Sequence, residues 1–347
     1  MDNLYAPTSS LNIFLVLPKA ELHRHLEGSL RIESMLDIAR IHGITVPASI
    51  LRLSGLVQIG DEEPYNFSNF LEKFKTLRLF YRSPEVIARV TREAVEDAAR
   101  DNVRYMELRF TPVALSRAEN FPLHDVMNWV CDSANKTAEK FGLTVKLIAS
   151  VNRHESPQMA EQVAWLAAGM QDKGIVALDI AGNESDFPAE PFAPIFHEAK
   201  ESGLKITVHA GEWAGAENVR EAIEVLGADR IGHGVRVLED ENVVALAKER
   251  GTVFEVCITS NHQSGVTPKL KKHPLPQMIE AGLITTINTD DPSISRISLS
   301  GEFQLANEQL GLSMNTLKEQ TLNAINAAFV SEEEREGLVK EFKKGLE

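Results

Sequence analysis

Eight short apolar segments, each followed by a stretch of helical periodicity, recur along the 347 residues, and this beat narrows the available folds more than any other feature. The first segment carries His23 and His25. The others span residues 103–110, 145–151, 175–180, 204–208, 230–233, 252–257 and 283–288. The helices between them have legible ends. Residues 29–43 place Leu30, Met35, Leu36, Ile38 and Ala39 at helical spacing and close on Gly43, a residue type suited to a left-handed C-cap. Ser83 and Pro84 supply an N-cap and an N1 proline to a helix with Val86, Ile87, Val90, Ala94 and Ala98 on one face. The tail, residues 317–347, is helical, with Ser331 capping an acidic first turn at Glu332, Glu333 and Glu334. This alternation predicts an α/β fold, a (β/α)8 TIM-type barrel with a helical insertion after the first strand and extra C-terminal helices. A doubly wound open sheet is the competing architecture, but no glycine-rich phosphate loop follows an early strand. No composition break marks a linker, so residues 1–347 are expected to form one domain.

The charge balance excludes whole classes of partner. With 36 Lys and Arg against 50 Asp and Glu, the formal net charge is −14, and no basic cluster offers a footprint for nucleic acid or an anionic membrane surface. Cys131 and Cys257 are the only cysteines, too few for a disulfide framework and suited to a reducing compartment. The apolar patch at residues 11–17 has no basic region before it and no small-residue cleavage site, so no signal peptide is expected. No apolar run is long enough to cross a bilayer. The expectation is a cytoplasmic protein, monomeric or a small homo-oligomer, acting on a small molecule.

In a barrel of this type the chemistry lies at the C-terminal mouth, so the polar residues that end each strand are the candidates. His23 and His25, two apart on a strand, project from one face. Alone, such a pair reads first as two partly buried, hydrogen-bonded structural histidines, and its partners must decide. Gly182 and Asn183 follow the fourth segment, His209 and Glu212 the fifth, His233 the sixth, and Asp290 and Asp291 the eighth. Three imidazoles and a carboxylate from the first, fifth and eighth strands suit zinc, with one position left for water, better than magnesium or calcium. The fourth strand ends in Ile180, Ala181 and Gly182, without the lysine by which other barrel hydrolases bridge two metals, so one ion per chain is expected. Zinc lowers the pKa of water towards about 7 and so supplies hydroxide at neutral pH. His233 either orients that water or accepts its proton, or is a structural imidazole after a glycine turn. Glu212 is a general acid if a low-dielectric pocket keeps it protonated, and otherwise a solvated loop carboxylate. Asp291 hydrogen-bonds a substrate or caps the next turn. The stripe of Phe67, Phe70, Leu71 and Phe74 at helical spacing reads as core or as a lid over a pocket.

Seven ordered motifs then carry a resemblance: residues 21–28 (ELHRHLEG), 105–112, 178–184 (LDIAGNE), 208–212 (VHAGE), 230–234 (RIGHG), 257–261 (CITSN) and 288–292 (NTDDP). Across nearly its whole length the chain resembles the adenosine deaminase family. The resemblance implies that His23, His25, His209 and Asp290 bind zinc, that Glu212 protonates purine N1, and that His233 assists the attacking hydroxide. It further implies that Asp291 contacts N7, that the Gly182 amide contacts N3, and that the Phe67–Phe74 stripe closes over a nucleoside. Arg109 and Asp179 would be a supporting pair.

One residue departs from the family pattern. Where an aspartate commonly lies near the ribose 5′-hydroxyl, this chain has Glu27, longer by a methylene. Related enzymes act on adenine, aminofutalosine or N6-substituted adenine nucleotides. A carboxylate at position 27 disfavours a 5′-phosphate, and free adenine would leave the sugar side empty, which favours adenosine and 2′-deoxyadenosine. The competing reading from another class is a non-catalytic barrel that binds zinc or a nucleoside. Binding alone requires neither Glu212 nor His233.

Overall fold

A computed structural model describes residues 13–347, and its strands form one eight-stranded parallel sheet in strict sequence order. They are β1 (Lys19–His25), β2 (Val103–Phe110), β3 (Thr144–Asn152), β4 (Ile175–Ala181), β5 (Lys205–Ala210), β6 (Arg230–His233), β7 (Val253–Val256) and β8 (Ile284–Ile287). A doubly wound sheet would reverse its order at a switch point, so the observed order excludes it. The ring closes just past β8. Asp290 N donates to His23 O at 2.9 Å, His25 N donates to Asp290 O at 2.8 Å, and Leu22 N donates to the Asn288 side chain at 2.8 Å. This seam already joins the two strand ends on which His23, His25 and Asp290 lie.

The strands are buried along almost their entire length, as parallel strands covered by helices must be. The helix-end signals hold. Gly43 takes φ 66° as a C-cap, Ser83 Oγ accepts from Val86 N at 3.3 Å, and Ser331 Oγ accepts from Glu334 N at 3.2 Å. The insertion after β1 consists of helices Ile32–His42, Ile50–Val57 and Phe67–Leu77. The tail is divided into Met314–Asn326 and Glu332–Leu346, preceded by Leu299–Leu310. Leu299–Leu310, Ile50–Val57 and the short Ile258–Gln263 helix had no counterpart in the sequence reading. Of the N-terminal apolar patch, the part before Ile13 lies outside the described residues. No helix among the described residues is long and apolar enough to cross a membrane.

The barrel interior is charged rather than oily. Arg230 lies between Glu107 and Glu255, with Nε 2.7 Å from Glu255 Oε1. Arg109 places Nη2 2.6 Å from Glu255 and Nη1 3.5 Å from Asp179. All five side chains are essentially inaccessible. At the lower end the chain between the last two helices plugs the barrel: Phe329 N donates to Glu107 at 2.7 Å, and Arg230 donates to Ala327 O at 2.8 Å. Desolvating so many charges is costly unless each is paired. Here the pairing runs as one ladder from the plug to the mouth.

Candidate active site

At the mouth, four ligand-type atoms converge. His23 Nε2 lies 3.2 Å and His25 Nε2 3.3 Å from Asp290 Oδ1, and His25 Nε2 lies 3.2 Å from His209 Nε2. A tetrahedral ion with bonds of about 2.0 Å has ligand-to-ligand edges of about 3.3 Å, so these spacings fit a metal. His23 Nε2 is buried without a hydrogen-bond partner, which a lone pair aimed at a cation explains. His233 reaches the same cluster: one atom each from His23, His209, His233 and Asp290 lie within 4.8 Å of one another.

The groups behind these histidines set their tautomers. Glu255 Oε2 lies 2.9 Å from His23 Nδ1, and Asp179 Oδ1 lies 3.0 Å from His209 Nδ1. Burial alone would push both carboxyls up. Arg109 with Arg230 holds Glu255, and His209 with Arg109 holds Asp179, well below the usual carboxylate range. Ionised carboxylates only accept, so both imidazoles carry the proton on Nδ1 and present bare Nε2. The expected supporting pair, Arg109 and Asp179, is therefore part of a larger set that includes Glu255. Asp290 is itself kept ionised against its burial by His23 and the other imidazoles around it, and its Oδ2 accepts from Ser260 Oγ at 2.6 Å. Asp290 (φ 64°) and His233 (φ 61°) both take left-handed backbone conformations, of the kind tolerated where the surroundings impose them.

Beside the cluster, Glu212 is buried, and its Oε2 lies 3.6 Å from His233 Nε2. Burial, then the charges of Asp290 and Glu184, push its carboxyl well above the usual range. The loop that carries it is held by a single carboxylate: Glu184 accepts from the amides of Gly211 (2.9 Å), Glu212 (2.7 Å), Trp213 (2.5 Å) and Ala214 (2.9 Å). Asp291 does not cap the helix that follows it. Its Oδ1 is buried without a partner, and burial with the charges of Asp290, Glu27 and Glu212 pushes it well above the usual range. A Cβ on Gly28 would lie 1.8 Å from Asp291 Oδ1, so only glycine leaves room for that carboxyl.

These groups open onto one cavity of about 650 Å3, counting the part exposed to solvent. Glu27, Phe70, Leu71, Phe74, Gly182, Glu212 and Asp291 all line it. Glu27 accepts from Thr111 N at 2.6 Å through Oε1, leaves Oε2 unpartnered, and is pushed by burial up to about 7. Gly182 takes φ 100°, a left-handed backbone. Phe67 is the exception among the stripe: it does not line the cavity but packs on Trp213, with ring centroids 4.1 Å apart. Asn183, gathered with the mouth residues, folds back on its own turn, accepting from Ser185 N at 3.0 Å. The sequence reading missed Glu255, Ser260, Arg78, Thr111, Asn152 and Trp213. Of these, Ser260 and Thr111 lie within the matched motifs, and Glu255 left a signal of its own, a carboxylate inside the otherwise apolar run from Val253 to Val256.

A closed (β/α)8 barrel with a histidine–carboxylate cluster at its mouth, and beside it a buried carboxyl pushed well above the usual range, defines a hydrolase of the metal-dependent barrel class. Residues 18–345 match the family model described as adenosine deaminase, and the chain belongs to that family. An adenosine deaminase of Klebsiella pneumoniae (strain 342) is 37% identical over 332 residues, covering 95% of this chain and 98% of that protein. Among solved structures, an adenine deaminase from Arthrobacter aurescens superposes with a TM-score of 0.88 at 28% identity, covering 94% of this chain and 98% of the other. A zinc-bound amidohydrolase from Burkholderia ambifaria gives 0.86 at 27% identity, covering 98% of this chain and 94% of the other.

Proposed function

We propose that the chain, as a single cytoplasmic catalytic domain, hydrolyses adenosine and 2′-deoxyadenosine to inosine and 2′-deoxyinosine with release of ammonia, using one zinc ion. The observation that carries this reading is the placement of the buried Glu212, its carboxyl pushed well above the usual range, beside the converging atoms of His23, His25, His209 and Asp290. Those four residues would hold the zinc, whose chemistry when bound is to furnish hydroxide at neutral pH.

The rest falls to the chain. Glu212 donates its proton to purine N1, which withdraws electron density from C6 and makes that carbon the point of attack by water. Asp291, whose carboxyl is pushed up by burial and by the charges of Asp290, Glu27 and Glu212, donates to N7, and the Gly182 amide donates to N3. These three groups fix which edge of the purine faces the metal ligands. His233 touches the attacking oxygen. Phe70, Leu71 and Phe74 cover the base and exclude bulk water, and Glu27 takes the sugar's 5′-hydroxyl. The reaction balances as nucleoside plus water giving 6-oxopurine nucleoside plus ammonia.

The test is a panel of adenosine, 2′-deoxyadenosine, adenine, adenosine monophosphate and aminofutalosine offered to the zinc-loaded protein. The two nucleosides are expected to give the highest kcat/KM. A clear preference for any other member would reassign the substrate, and no turnover of any would leave a binding protein.

A further inference from the structure

The geometry points to a proton-fixing chain, His273–Asn261–His233, that holds His233 as a neutral imidazole with its hydrogen on Nε2, so that His233 acts as a hydrogen-bond donor in the site and neither as a metal ligand nor as the base that takes the water's proton. The inference rests on the proposed reading of the mouth as the catalytic site and assigns roles to two residues outside the cavity.

The chain starts from a group whose polarity is not negotiable. The backbone amide of Leu275 donates to His273 Nδ1 at 3.1 Å, so that nitrogen carries no hydrogen. His273 is fully buried, and burial, with His262 adding to it, lowers its pKa to about 3, so the ring is neutral and its hydrogen sits on Nε2. Nε2 lies 3.3 Å from Asn261 Oδ1, which accepts. The side-chain amide of Asn261 is thereby oriented, with Nδ2 towards His233 Nδ1 at 3.1 Å. Turning that amide over would ask His273 to accept on both nitrogens, which a neutral imidazole cannot do. His233 Nδ1 is therefore an acceptor, and its hydrogen is on Nε2, the atom that faces Glu212 and Asp290.

The contrast with the neighbouring histidines makes the arrangement specific. His23 and His209 are backed at Nδ1 by the ionised carboxylates of Glu255 and Asp179 and so present a bare Nε2, as a ligand must. His233 is backed by an amide donor and presents Nε2–H, which repels a cation and suits an oxygen. Three of the imidazoles at the mouth, those of His23, His209 and His233, are thus divided by what stands behind them. Asn261 and His273 are positioning residues; neither touches the cavity.

The experiment is a long-range nitrogen–proton NMR spectrum of the zinc-loaded protein carrying 15N-histidine, with the His233→Gln protein used to assign the His233 resonances. The expected result is a protonated Nε2 and a bare Nδ1 on His233. A bare Nε2, or protons on both nitrogens, would overturn the proposal, and since the readout is not turnover, it stands apart from the identity of the substrate. Two variants extend it. Asn261→Asp puts an obligate acceptor behind Nδ1, so the His233 proton should move to Nδ1 and kcat should fall roughly 10- to 100-fold with KM little changed. His273→Gln, whose amide can accept from Leu275 and donate to Asn261, should keep the wild-type tautomer and most activity, whereas His273→Leu should not. An unchanged His233 spectrum in both Asn261→Asp and His273→Leu would overturn the chain.

Discussion

Glu255 accepts from His23 across 2.9 Å with the same oxygen that lies 2.6 Å from Arg109. One carboxylate therefore belongs both to the charge ladder that fills the barrel and to the cluster at its mouth. Its second oxygen, 2.7 Å from Arg230, ties the site to the plug at the opposite end. The interior charges that cost the barrel desolvation free energy also dictate which nitrogen of His23 is bare. Stability and metal affinity are expected to change together when this residue is altered.

Replacing Glu255 with Gln keeps the shape and removes the charge. Arg109 and Arg230 retain Asp179 and Glu107 but lose their shared partner, which should cost about 3 kcal/mol of stability by urea unfolding. The His23 proton is no longer anchored by an anion, so zinc affinity measured by chelator competition should fall roughly 10- to 100-fold. Unchanged affinity in a folded variant would remove Glu255 from the support of the metal site.

In the proposed function, Glu27 meets the sugar side of the substrate. It lines the cavity and keeps one buried oxygen unpartnered, and once ionised it repels a phosphate there. At about pH 8, Glu27→Gln should raise the ratio of kcat/KM for adenosine monophosphate over adenosine by at least about tenfold, as expected for removing a like charge at close range. A ratio equal to that of the wild type would mean that the discrimination lies elsewhere.

Glu302 gives the pH dependence of stability. It is buried and accepts from the amides of Ile258 and Thr259, at the start of the short helix that carries Ser260 and Asn261. Burial raises its pKa from the usual 4.5 to about 7. Between those values the folded protein keeps this proton and the unfolded chain releases it, so its contribution is complete below the lower value and is lost as pH rises through the upper one. The loss is on the order of 3 kcal/mol. Glu302→Gln should flatten the fall in stability between about pH 5 and about pH 8 in urea titrations; a variant with the full wild-type slope would exclude Glu302 as its source.

The sequence made the strand ends legible because the barrel fold turns a linear pattern into a spatial one. Once eight strands alternate with helices, His23, His209 and Asp290 must share a rim. The strand limits were legible for the same reason, since runs buried on both faces are apolar and bounded by turn residues. What stood behind the site was legible only in the Arg109 and Asp179 pair that the family resemblance implied. Glu255 and Asp179 contact the histidines through registers between strands, and Asn261 and His273 meet His233 through a short helix that no periodicity announces. Phe67 shares the helical face of Phe70 and Phe74, but lying a turn earlier it packs on Trp213 instead of the cavity. The choice between substrate contact and helix cap at Asp291 depended on Gly28, whose missing side chain makes room for the carboxyl.

The central claim is that Glu212, its buried carboxyl pushed up beside a zinc site, donates the proton that drives hydrolytic loss of ammonia from adenosine. The most direct test follows the ultraviolet change from adenosine to inosine in wild type and Glu212→Gln, with zinc content measured on the same samples. The account predicts that both proteins hold one zinc, that the wild type turns adenosine over with one ammonia per inosine, and that the variant loses about 100- to 10,000-fold in kcat. Full activity in the zinc-loaded variant, or no turnover by the zinc-loaded wild type, would contradict it.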